Sequence, residues 1–157
     1  MDGVSARVTQ CAMERARALE RLKALGFTGP DVYFAELIPA VEMAWADGEV
    51  QANERAVLEA YAQTLVESLN ATAGARLFTF SRALVWLRRL LKRRLTPYER
   101  SWALESVRLL SSGAAGLPMR RRIVEWCEAV AAVAGSPVWD ARELFWLQRV
   151  RSTLEVA

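Results

Sequence analysis

The chain has 157 residues, of which 53% are hydrophobic and 25% charged, with a net charge of +3. That length and balance fit one globular domain with its own core and exclude a disordered chain, and no apolar run approaches the roughly 18 residues that would span a membrane. With no histidine in the chain, imidazole general bases, His-containing triads and imidazole metal sites are excluded as well.

The first twenty residues carry charges throughout and lack the apolar stretch of a signal peptide, so a cytoplasmic location is expected. Two cysteines, Cys11 and Cys127, sit far apart inside helical patterns. They read as buried thiols in a reducing compartment. Apolar spacing is helical along the whole chain, with no alternating strand pattern. The prediction is an all-α fold: a single domain over 1–157, packed as a compact bundle of about seven helices.

The first helix is predicted over 5–25, stopping at Gly26. The second starts at Pro30 or Asp31 and runs to Ala46, where Asp47-Gly48-Glu49 breaks it. The third covers about 51–70, with Val57, Leu58, Tyr61, Leu65 and Leu69 on its apolar face. The fourth spans 75–95. The fifth has the clearest start: Thr96 caps, Pro97 fits the first turn and Glu99 closes a capping box. It ends near Ser111. The sixth runs from Leu117-Pro118 to Gly135. The seventh begins at Asp140, with Glu143 three residues on as a second capping box and Leu144, Leu147, Val150 and Leu154 inward.

No glycine-rich phosphate loop and no nucleophile-elbow motif occurs, and no carboxylate pair stands apart as an acid/base couple, so a non-enzymatic role is expected. The turn after the second helix is the most informative segment. Asp47-Gly48, Val50 and Glu54 match the second half of a calcium-binding EF-hand loop. Met43 and Trp45 stand where that loop needs its first two oxygen ligands, so an EF-hand is excluded.

Ala44, Ala46, Asp47, Gly48, Val50, Glu54 and Arg55 together resemble the TerB-like family, named for a tellurite-resistance protein. The resemblance covers the helical hairpin 31–70. Ala132-Val133-Ala134-Gly135 followed by Asp140 to Leu144 is similar to a second copy over 117–157, with Ala134 in place of the acid. The resemblance implies two related helical hairpins and a place in a bacterial stress- or defence-related assembly. It also implies a weak divalent-cation site, Ca²⁺ or Mg²⁺, at Asp47 and Glu54. Glu49 is a neighbouring acid that the family pattern does not carry. A purely structural role accounts for the same residues: Asp47 caps the turn, Gly48 takes a positive φ and Glu54 sits in the first turn of the third helix.

Charge is divided along the chain. Residues 31–70 hold eight acids and one base, whereas 76–100 hold eight bases and one acid. On the fourth helix, Leu77, Phe80, Leu84, Leu87 and Leu91 form the predicted core stripe. Arg82, Trp86, Arg89 and Arg93 fall on the opposite side and are the predicted partner-binding residues. Three arrangements fit them: Trp86 covered by another helix with the arginines around it, an anchor for another protein, or a helix lying on anionic lipid or nucleic acid. Nucleic acid is disfavoured, because Arg120-Arg121-Arg122 alone supplies no reading helix and the acidic half repels phosphate. The expected partner is another protein or a second copy of the chain, with an anionic membrane surface contacted by 76–95 as the alternative.

Overall fold

A computed structural model of the chain describes residues 2–134 and 140–157. Among them lie seven α-helices and no strand: α1 (Asp2–Ala24), α2 (Ile38–Trp45), α3 (Ala52–Ala73), α4 (Phe80–Lys92), α5 (Pro97–Leu110), α6 (Leu117–Ala132) and α7 (Ala141–Leu154). The predicted end of the sixth helix at Gly135, and with it the glycine of the second hairpin's turn, lies outside the described residues. Among the described residues no helix is long and apolar enough to cross a membrane.

The predicted second helix is two elements. Gly29–Leu37 winds as a 3₁₀ segment, and α2 begins only at Ile38. Pro39 falls in the first turn of α2, where its missing N–H costs nothing. A continuous α-helix would have needed that N–H, so the chain re-starts there. The short α2 is the axis of the fold. Every residue from Ile38 to Ala44 is buried, as a helix surrounded by others requires. The elements α3, α4, α5, α6 and α7 all pack against it.

Local capping sets the outer helices. Glu99 N–H donates to Thr96 Oγ1 at 3.1 Å, and the Thr96 N–H donates to Glu99 Oε1 at 3.0 Å, so α5 starts as predicted. The same box forms at Asp140 and Glu143 before α7. In α7, however, Leu144 is exposed and Trp146 is buried, its indole N–H donating to the Pro39 carbonyl at 2.8 Å.

The fourth helix starts five residues later than predicted. Gly74 ends α3 in the left-handed region at φ +69°. The Asn70 side chain then clasps the Phe78 backbone from both sides, at 2.9 and 2.8 Å, and Thr79 caps α4 by accepting from the Arg82 N–H. Leu77, predicted as core, therefore lies outside the helix and is exposed. The clasp makes α3 and α4 an antiparallel hairpin.

Among the described residues of α1 only Ala18 and Leu22 are buried, and Val4, Val8 and Met13 face solvent. Cys127 is buried and burial pushes its thiol up. Cys11, expected buried, is exposed, because the N-terminal half of α1 carries its apolar side chains on the surface; both cysteines are free thiols.

Candidate partner-binding surface

The predicted interaction residues on α4 divide into three fates. Trp86 is 3% exposed. Its ring stacks on Phe27 with centroids 4.0 Å apart. A side chain at Gly26 would stand 3.4 Å from the same indole, so the turn after α1 closes over it. As a partner anchor, Trp86 is thus corrected: it belongs to the core, with Ala83, Leu87 and Leu90 on the same buried arc. At 100° per residue this arc is rotated by roughly 80° from the predicted leucine stripe. Leu84 and Leu91 move to its half-buried edge.

Two of the arginines are occupied. Arg82 makes a two-pronged pair with Asp31, Nε to Oδ1 at 3.1 Å and Nη2 to Oδ2 at 2.5 Å. That guanidinium holds the Asp31 carboxyl below its usual range. Arg93 grips Glu99 in the same way at 3.0 Å for both prongs, and Glu99 is held down to about 2. Arg89 lies over the Trp86 ring, its guanidinium carbon 4.8 Å from the centroid, and covers the indole from the solvent side.

What remains free is a neighbouring strip. Arg88 and Lys92 on α4 and Arg55 on α3 are exposed and make no ion pair among the described residues. They rim an open groove of about 300 Å³ between the two helices, floored by Leu84, Leu87 and Leu91, with Glu59 the single acid at its edge. Sequence spacing did not single out this strip, because it depends on which face of α4 turns inward and on α3 lying antiparallel beside it.

The acidic turn is built as the structural role requires. Gly48 has φ +92°, Asp47 Oδ1 accepts the Glu49 N–H at 3.1 Å, and Glu54 accepts the Gln51 N–H at 3.4 Å. Glu54 is 1% exposed, and burial pushes its carboxyl up to about 7, helped by the charges of Asp47, Glu143 and Glu49. Glu143, buried in its own capping box, is raised by the same burial and by Asp140 and Asp47. Asn53, in the first turn of α3, donates across to the Val133 carbonyl at the end of α6. Among the described residues no group of three or more acids or thiols is set to hold a metal ion. Both carboxylates predicted as a cation site, Asp47 and Glu54, hold the turn by accepting backbone N–H groups.

Part of the divided charge of the chain is paired inside the fold. Besides Asp31–Arg82, Arg122 donates to both Glu36 oxygens at 2.8 and 2.6 Å, the Tyr61 hydroxyl donates to Glu36 Oε2 at 2.6 Å, and Arg122 Nη1 reaches Ser68 Oγ at 3.0 Å. Tyr61 in turn stacks on Trp126. Glu42, on the central helix, lies 3.8 Å from Arg94 and 3.6 Å from Arg100. Its Oε2 has no hydrogen-bond partner among the described residues, and burial pushes this carboxyl up to about 7 against the pull of both arginines. The three acids of 31–42 are thus answered by bases of 82–122, while Asp47, Glu49, Glu59 and Glu67 make no ion pair among the described residues.

No family model, curated protein or solved structure matches the chain. The functional reading rests on the chain's own chemistry. Buried carboxylates here serve caps and ion pairs, and on the α3–α4 face unpaired cations stand exposed beside leucine side chains.

Proposed function

We propose that the chain is a non-enzymatic helical interaction module that captures an acidic partner protein on the α3–α4 face. The observation that carries this reading is the residual charge. Once the internal pairs are formed, Arg55, Arg88 and Lys92 stand together around an apolar groove with only Glu59 to offset them. Three unmatched cations on one rim steer and orient an anionic surface. They sit on rigid helices fixed by the Asn70 clasp, so the rim is preorganised. Arg88 and Lys92 also favour the C-terminal end of the α4 dipole, but Arg55 lies near the start of α3, where that role does not apply.

The TerB-like resemblance supplies the cellular context of the proposal, a bacterial stress- or defence-related assembly. It is supported by the turn itself: a helix on each side of Asp47-Gly48, the glycine in a positive-φ conformation and Glu54 in the first turn of α3.

Immobilised protein is compared with an Arg55→Glu/Arg88→Glu/Lys92→Glu variant in capture from a lysate of the source cells. The proposal expects captured acidic proteins to be lost in the variant and to elute with moderate salt. An identical captured set for both proteins removes this face from the account.

A further inference from the structure

Resting on that proposed surface, we infer that the occupant of the α3–α4 groove is an amphipathic acidic helix of the partner. Leu84 and Leu91 lie two turns apart on α4, half-buried, so the apolar floor runs along the helix for about 10 Å. A floor of that length and direction matches apolar side chains repeating at helical spacing on an incoming segment. Arg88 and Lys92 stand one turn apart beside the floor, and Arg55 faces them from α3. Carboxylates flanking the apolar stripe of the incoming helix meet all three. Glu59 fixes orientation, since an acid placed opposite it is repelled while a base or a neutral residue is accepted.

Other occupants match less of this chemistry. A small anion leaves the leucine floor uncovered, and every cation of the rim is solvent-exposed, so no dry pocket strengthens its binding. A bilayer meets a concave groove between two helices and the acids Glu59 and Glu67 exposed along α3, which repel anionic headgroups.

The experiment selects a display library of helical peptides, about 16 residues long, on the intact protein. Retained sequences are then measured against the Arg55→Glu/Arg88→Glu/Lys92→Glu variant and against vesicles containing phosphatidylglycerol. The expected winners are acidic with apolar residues at helical period. They bind the variant at least about tenfold more weakly, and they lose binding when their apolar residues are changed to glutamine. Circular dichroism of the variant confirms its fold before the comparison is read. Acidic winners without apolar periodicity overturn the helix-in-groove inference while leaving the acidic-partner reading standing. Winners that bind the variant equally well overturn both. Saturable binding of the protein to phosphatidylglycerol vesicles, lost in the variant, with no peptide enriched, assigns the face to lipid and overturns both.

Discussion

At the scale of single residues, the buried carboxylates decide how the fold responds to pH and substitution. Glu54 ionises near 4.5 in the unfolded chain and at about 7 in the folded one. The folded state therefore keeps a proton that the unfolded state releases. The resulting penalty is absent below 4.5, grows as pH climbs through the interval and is constant above 7. Glu54→Gln keeps an oxygen to accept the Gln51 N–H but carries no charge. Thermal melts are expected to coincide for variant and parent at about pH 4 and to favour the variant at about pH 8.5, by on the order of 2–3 kcal/mol. A stability difference that is the same at about pH 4 and about pH 8.5 would show that the fold does not raise the Glu54 carboxyl. The Glu36 carboxyl is tied on both oxygens, by Arg122 and by the Tyr61 hydroxyl. Arg122→Met leaves a buried carboxylate beside Tyr61 and is expected to lower the urea unfolding free energy by about 3–5 kcal/mol. Replacing Glu36 with Leu in the same chain should return the larger part of that loss, since the pair is removed along with its desolvation.

At the scale of elements, α4 shows why some of the fold was legible and some was not. Capping boxes are local chemistry, so Thr96–Glu99 and Asp140–Glu143 place the starts of α5 and α7 from sequence alone. The break at Pro39 was equally local, but the apolar residues around it mask it, since both 3₁₀ and α segments bury that stretch. The face of α4 is different. Phe80, Ala83, Leu84, Trp86, Leu87, Leu90 and Leu91 offer two overlapping apolar arcs, and only Phe27 and Gly26, sixty residues earlier, select the one containing Trp86. Helical period cannot report that choice. The Glu36–Arg122 pair was out of reach for the same reason, its members lying 86 positions apart in the chain. The orientation of α4 predicts a cost: Trp86→Ala removes the stack on Phe27 and opens a cavity under Arg89, for about 3–5 kcal/mol in urea unfolding followed by circular dichroism. A surface tryptophan would change stability by less than about 0.5 kcal/mol, and that result would turn the helix around.

At the scale of the whole molecule, the same kind of charge has two separate uses. Arg82, Arg94, Arg100 and Arg122 answer acids on the 3₁₀ segment and on α2, so these bases tie the periphery to the central axis. Arg55, Arg88 and Lys92 answer nothing among the described residues and border the groove. Reversal of each set tests the division. Changing the three groove cations to Glu takes the net charge from +3 to −3, yet leaves every internal pair intact. The expected melting temperature stays within a few degrees of the parent, because exposed unpaired charges contribute little to stability. Arg82→Glu with Arg100→Glu changes fewer charges but sets a second carboxylate against Asp31 and another against Glu42, both buried. Its melting temperature is expected to fall well below that of the triple variant and to keep falling above pH 7, because loss of the nearer arginine raises the Glu42 carboxyl further and the folded state keeps its proton over a wider pH range. Equal melting temperatures for the two variants would mean that the internal pairs do not hold the fold, and the division between bases that tie the fold and bases that border the groove would fall.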